Sequence, residues 1–294
     1  MSSVRAPGTL LPMDRASVFY DGIFAEPVRL AHAEGVAVHE DGSVWCGTEN
    51  GDLLRIEPDG SSMSCQGSTG GWIAGIAFAE GALYACDIRY GGVFRLDLQS
   101  KVLKRFAEAR LAIPNYPVVD LKRRRLYVSD SCGYEAPGPG VWAFDLDTAQ
   151  AHLWYDRPLS FANGMALAPD GTSLYVVESL PKRVVRVPIL RDGTAGNAEP
   201  VVGGLVEFPD GIAFDTAGNL YISCYEPSQI YRFDTQGKLE LLIRDPVATL
   251  LSHPTNMAFR GKTMFTSNLG RWHITQIALD VEGSPVPLPV SHFA

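Results

Sequence analysis

Along nearly the whole chain, apolar and polar residues alternate with a period of two, in short runs broken by Gly, Asp and Pro. No stretch of about 10 or more residues carries the apolar spacing of an amphipathic helix. The pattern predicts an all-β chain. Comparing the chain with itself shows one recurring element: an apolar run, a turn, an aliphatic-aromatic pair, a small-residue segment and a second apolar run ending in a charge. It reads GVAVHEDGSVWCGT, GIAFAEGALYACD, PVVDLKRRRLYVSD, GMALAPDGTSLYVVE, GIAFDTAGNLYISC and NMAFRGKTMFTSN. The aromatic members Trp45, Tyr84, Tyr127, Tyr175, Tyr221 and Phe265 are 39, 43, 48, 46 and 44 residues apart.

Six copies at that period predict a six-bladed β-propeller with a central channel, spanning residues 1–294 as one domain. Third strands are legible after the pair, as in Gly92–Asp97 and in 229–234. The fourth strand of each blade is inferred from the remaining length. Val18, Phe19 and Tyr20 are expected to pair with the carboxy-terminal blade and close the ring, removing an open sheet edge. Pro285, Pro287 and Pro289 read as a short irregular tail.

In such a ring the first strand of every blade lines the channel, so the residues just before those strands share one mouth. Down the copies they are Glu34, Ala74, Asn115, Asn163, Asp210 and Asn256. Five of the six are acids or amides. Carboxylate and amide oxygens without His or Cys suit a hard divalent cation such as calcium, magnesium or manganese, with zinc also compatible. The competing reading is that Asn-Gly and Asp-Gly are simply turn signals. Asp59-Gly60 and Asp170-Gly171 read that way. Asn163-Gly164 and Asp210-Gly211 differ, because a separate hairpin signal follows within the same blade, as at 215–218. Both readings remain open from the residues alone.

A net charge of −8 and a pI near 5.3 argue against nucleic acid or an acidic membrane surface as partner. The one basic run, Lys122 to Arg125, reads as a solvated hairpin loop. The amino terminus shows no apolar stretch of signal-peptide length, and no run approaches the ~20 residues of a membrane span. A soluble cytoplasmic protein is expected. Cys46, Cys65, Cys86, Cys132 and Cys224 have no CxxC spacing, so most are expected to be reduced and buried. The chain has no Gly-x-Ser-x-Gly elbow, and His32, His39, His152, His253, His273 and His292 form no spaced ligand set. Of these, His253 and His273 are nearest the sixth-blade mouth.

The blade-initial residues Glu34-Gly35, Asn115, Asn163-Gly164 and Asp210-Gly211 resemble those of the SMP-30/gluconolactonase family of six-bladed lactonases, which includes regucalcin. The resemblance implies that Glu34, Asn115, Asn163 and Asp210 hold one divalent metal ion, calcium foremost, and that Asp210 also acts as the base. It implies a small-molecule lactone or ester as substrate. Sugar-lactone members often carry Arg-x-Asn-Asp at the third blade, where this chain has Ile113-Pro114-Asn115-Tyr116. A substrate less polar than a sugar-acid lactone is therefore expected, with Tyr116, Trp72, Asn256 and His273 as contacts and Trp272 as a further rim aromatic. The stretch from LYVSDSCGYEAPGPG to VVESLPKRVVRVPI also resembles strictosidine synthase-like proteins, implying a metal-independent alternative in which Glu178 transfers protons. A non-enzymatic propeller that binds partners through its faces is the third reading.

Overall fold

In the computed structural model, which describes residues 10–206 and 208–287, 24 strands form six four-stranded antiparallel sheets. Pro289 and His292 lie outside the described residues. In five sheets the strands follow one another in the chain, as in Pro209–Phe214, Leu220–Cys224, Gln229–Phe233 and Leu239–Arg244. The sixth contains Pro254–Arg260, Thr263–Asn268 and His273–Ala278, completed by Ala16–Asp21 from the opposite end of the chain. Ala16 faces Ile277 and Asp21 faces His273 in that pairing, so the expected ring closure is present. The six-bladed β-propeller and its fourth strands are borne out.

The repeated aromatics lie on second strands, and several of them join neighbouring blades. Trp45 meets Phe78, Tyr175 meets Phe214 and Tyr221 meets Phe259, at centroid separations of 5.4, 5.0 and 5.6 Å. Each partner Phe is on the first strand of the following blade. At these three copies a ring at a fixed position in one blade packs edge-on against the next.

The first strands surround a cavity of about 430 Å³, lined by apolar side chains such as Val36, Ile76, Val118, Met165, Ile212 and Met257. Residues 282–287 contribute to the same lining, so the proline-rich tail reaches the channel.

The ambiguous Asn-Gly and Asp-Gly dipeptides lie inside first strands, at β-bulges. Pairing with the second strand shifts between Pro114 and Pro117, Ala162 and Met165, Pro209 and Ile212, and Pro254 and Met257. Each shift brackets a site residue, and a bulge of this kind re-aims a side chain. Gly164 and Gly211 are not in the left-handed region that a type I′ turn requires, whereas Gly60 and Gly171 are, at φ +72 and +66.

Gly164 and Gly211 are required for close approach. A Cβ on Gly164 would lie 2.5 Å from the Asp210 carbonyl oxygen, and one on Gly211 would lie 2.4 Å from that of Thr255. Gly211→Ala is expected to cost roughly 2 kcal/mol or more through overpacking against backbone, read as a lowered urea midpoint with the slope unchanged.

The Lys122–Arg125 run lies at a hairpin turn, with Arg123 paired to Asp120 and Arg124 to Glu80 and Asp147. Cys46, Cys86 and Cys224 are buried thiols, while Cys65 is exposed. No helix among the described residues is long and apolar enough to cross a membrane.

Candidate active site at the channel mouth

Serine hydroxyls on second strands hold the bulges open. Ser129 Oγ accepts from Tyr116 N at 3.0 Å, Ser223 Oγ from Gly211 N at 2.9 Å and Ser267 Oγ from Asn256 N at 3.1 Å. Hydroxyls also tie one blade to the next just before the site residue: Ser131 Oγ donates to Ala162 O and Ser179 Oγ to Pro209 O, at 2.8 and 2.7 Å. Ser267 Oγ and the Asn256 amide donate to Glu34 O, at 2.5 and 3.0 Å, and so join the sixth blade to the first. Glu34, Asn115, Asn163, Asp210 and Asn256 thus occupy equivalent places around one ring, and all are buried.

Four of these five residues carry an unpartnered buried oxygen: Asn115 Oδ1, Asn163 Oδ1, Asp210 Oδ1 and Asn256 Oδ1. Each such oxygen costs free energy unless something electropositive meets it. Glu34 adds a second carboxylate, whose Oε2 accepts from Trp72 Nε1 at 3.1 Å. Burial raises the Glu34 carboxyl from 4.5 to about 7, against the opposing effect of the Trp72 hydrogen bond. Asp210 is pushed well above the ordinary range by burial and then by the Glu34 charge, partly offset by the Asn163 amide.

Orphaned neutral and acidic oxygens facing two mutually repelling carboxylates suit a divalent cation. Its two positive charges would balance the acids, and amide oxygens are hard ligands. Among the described residues, no group of three or more His, Cys, Asp or Glu side chains could hold a metal. Any cation here therefore depends on the asparagines.

The charges that end the second apolar runs brace the chain entering each bulge. Asp130 accepts from Ala112 N and Ile113 N at 2.9 Å each and from Cys132 N at 3.1 Å. In other blades Asp87 accepts from Trp72 N at 3.4 Å, Glu178 from Ser160 N and the neutral Asn268 side-chain oxygen from Ser252 N. Asp130→Ala strands three backbone donors, and a loss of about 2–4 kcal/mol is expected in chemical denaturation.

Glu178 also binds Arg183 Nε at 2.5 Å and is 1% exposed. It therefore occupies a bracing position rather than an open one, contrary to its expected proton-transfer role. His273 is likewise displaced from the expected rim: it is buried on a third strand, with Nε2 against Leu250 O at 3.0 Å. Tyr116 lines the apolar cavity, and burial raises its hydroxyl to about 12. Trp72 is brought to the site through its bond to Glu34, and Trp272 packs edge-on against His32 at 4.8 Å. Cys132 packs against Gly138.

The sequence reading named Trp72 and Ile113 singly but missed Phe161, Phe208 and the column that they share. The positions two before the ring residues Glu34, Ala74, Asn115, Asn163 and Asp210 are His32, Trp72, Ile113, Phe161 and Phe208. Together they form a largely aromatic collar. Reading that column of the repeat would have found it. His32, Phe161 and Phe208 have left-handed backbones, with φ of 45, 56 and 45, a conformation that costs a non-glycine residue on the order of 1–3 kcal/mol. In the sixth blade His253 has φ 53, and its Nδ1 lies 3.1 Å from Tyr225 O and 3.2 Å from Glu226 Oε2.

Comparison with known proteins agrees with this architecture. Residues 143–267 match the family model described as the SMP-30/gluconolactonase/LRE-like region, so the resemblance read from the blade-initial residues is borne out. The chain is 26% identical over 276 residues to the protein strictosidine synthase-like 6 of Arabidopsis thaliana, covering 86% of this chain and 69% of that protein. It is 24% identical over 221 residues to lactonase Drp35 of Staphylococcus haemolyticus, covering 69% of this chain and 66% of that one. Among solved structures, the calcium-binding protein regucalcin of Agrobacterium tumefaciens superposes with a TM-score of 0.73 at 19% identity, covering 92% of this chain and 98% of its own. That similarity is one of fold.

Proposed function

We propose that the protein is a divalent-metal-dependent hydrolase of lactones or related esters, with calcium as the preferred ion. The observation that carries this reading is the set of unpartnered oxygens on Asn115, Asn163 and Asp210 beside the Glu34 carboxylate, in one buried ring. The similarity to a protein named as a lactonase and the fold shared with one titled calcium-binding support it.

Glu34, Asn115, Asn163 and Asp210 would hold the ion. When bound, it would supply Lewis acidity toward the substrate carbonyl and lower the pKa of water. Asp210 would take the proton of the attacking water and later return it to the leaving alkoxide. As a ligand of the ion its basicity would be lowered, so the ion's effect on the water would be the larger contribution. Trp72 Nε1–H holds the Glu34 carboxylate in one orientation, and the Asn256 amide fixes the Glu34 backbone.

Treating the protein with a chelator and assaying γ-butyrolactone and phenyl acetate before and after adding back calcium, magnesium, manganese or zinc tests the proposal. Activity lost with the ion and restored by it is expected. Hydrolysis that is indifferent to chelation would rule the metal out of the reaction.

A further inference from the structure

Tyr134 is 64% exposed, yet its ring is positioned by neighbouring aromatics. It stacks on Phe161 at 4.6 Å with an interplanar angle of 29° and meets Phe208 edge-on at 6.4 Å. Phe161 and Phe208 are the collar residues two positions before Asn163 and Asp210, both with left-handed backbone; Phe161 is buried and Phe208 partly buried. Tyr225, stacked on His253 at 4.3 Å, lies within electrostatic range of Asp210, Glu34 and Tyr134 alike. Tyr225 is therefore near both carboxylates and Tyr134, while Phe161 and Phe208 sit two residues before Asn163 and Asp210. At the third blade Ile113 occupies the equivalent collar place, so that position offers no charge to a polyhydroxylated or anionic substrate.

Resting on the lactone or ester reading of the site, we infer that Tyr134, Phe161 and Phe208 form the substrate-selecting wall of the mouth and bind an alkyl or aryl substituent on the substrate. An exposed ring held face-on to a second ring is pre-ordered, so a ligand covering it gains apolar contact with little further side-chain ordering. Left-handed aromatic residues are retained at a cost in backbone strain, and such strain concentrates where function needs a particular direction. Phe161 and Phe208 lie two residues before Asn163 and Asp210, so a substituent held on the wall would lie beside the ring that takes the carbonyl.

The test compares γ-butyrolactone with its pentyl-substituted homologue, γ-nonalactone, and with glucono-δ-lactone, using the whole calcium-loaded protein. The wild type is expected to favour the pentyl lactone over the parent by about tenfold or more in kcat/KM. Tyr134→Ala should remove most of that preference, its loss on the pentyl lactone falling in KM and exceeding its loss on the parent lactone, and Tyr134→Phe should retain it. An unchanged preference in Tyr134→Ala, or a wild-type preference for glucono-δ-lactone, would overturn the inference.

If no lactone is turned over, calorimetric binding of 2-pyrrolidinone and 5-pentyl-2-pyrrolidinone separates the two claims. Tighter binding of the pentyl lactam that is lost in Tyr134→Ala keeps the wall and removes the hydrolase, while equal binding of the two lactams removes the wall.

Discussion

Asp210→Asn is expected to lower kcat/KM for lactone hydrolysis by about a thousandfold or more, the scale of a lost general base, while making the metal-free protein more stable. The two effects have one origin. Asp210 is buried beside Glu34, and its Oδ1 has no partner. Asparagine is nearly isosteric and keeps an oxygen in the ring, but it removes one of two repelling charges. Relief of a buried, unpaired charge is worth on the order of 1–4 kcal/mol at a pH where the acid would be ionised. Thermal unfolding in chelator at pH 8 should show Asp210→Asn melting above the wild type. Calcium should raise the wild-type melting temperature and leave that of the variant nearly fixed. A variant that melts lower in chelator would mean that the carboxylate is already compensated by protein groups.

The second large effect is the pH dependence of the metal-free protein. Burial raises Glu34 from 4.5 to about 7 and moves Asp210 in the same direction. An acid whose pKa is higher folded than unfolded binds more protons in the native state, so stability falls as pH rises. The full stability is present below about 4.5 and is lost up to and beyond about 7. For Glu34 alone the shift corresponds to roughly 3 kcal/mol. Calcium removes the penalty by favouring the ionised carboxylates, so the gap in melting temperature between calcium-loaded and chelated protein should widen steadily from pH 5 to pH 8. A gap that is constant with pH would show that no carboxylate in the ring changes ionisation on metal binding.

Much of this arrangement was legible in the chain. The aromatic positions marked six blades because the same second-strand place recurs in each; Trp45, Tyr175 and Tyr221 use it to pack on the next blade, whereas Tyr84, Tyr127 and Phe265 pack on Phe106, Trp154 and Phe19. The closing strand Ala16–Asp21 was legible because a ring of blades with no open edge needs an amino-terminal apolar segment, Val18 to Tyr20, beside the last blade. The ring residues could be read off one column of the repeat. Outer strands such as Met63–Ser68 and Leu103–Arg105 were visible only as leftover length, because exposed edges need no apolar alternation.

The bulges were hidden for a different reason. Asp-Gly inside a bulge and Asp-Gly in a hairpin are the same two letters, and the glycine backbone angle and the crowding of Gly211 by Thr255 tell them apart. The collar was missed because left-handed backbone is normally sought at Gly or Asn, and Phe161 and Phe208 violate that preference. His273 was misassigned because closeness in sequence to the sixth-blade mouth did not reveal that its strand is the third from the channel.

The central claim is that the buried oxygens of Glu34, Asn115, Asn163 and Asp210 form a cation site. Its most direct test is the metal content of the purified protein by elemental analysis, after chelation and reloading with calcium, magnesium, manganese or zinc, beside Asp210→Asn treated identically. One ion per chain in the wild type and none in the variant is the expected result. No bound ion under any loading condition, or equal retention by the variant, would contradict the claim.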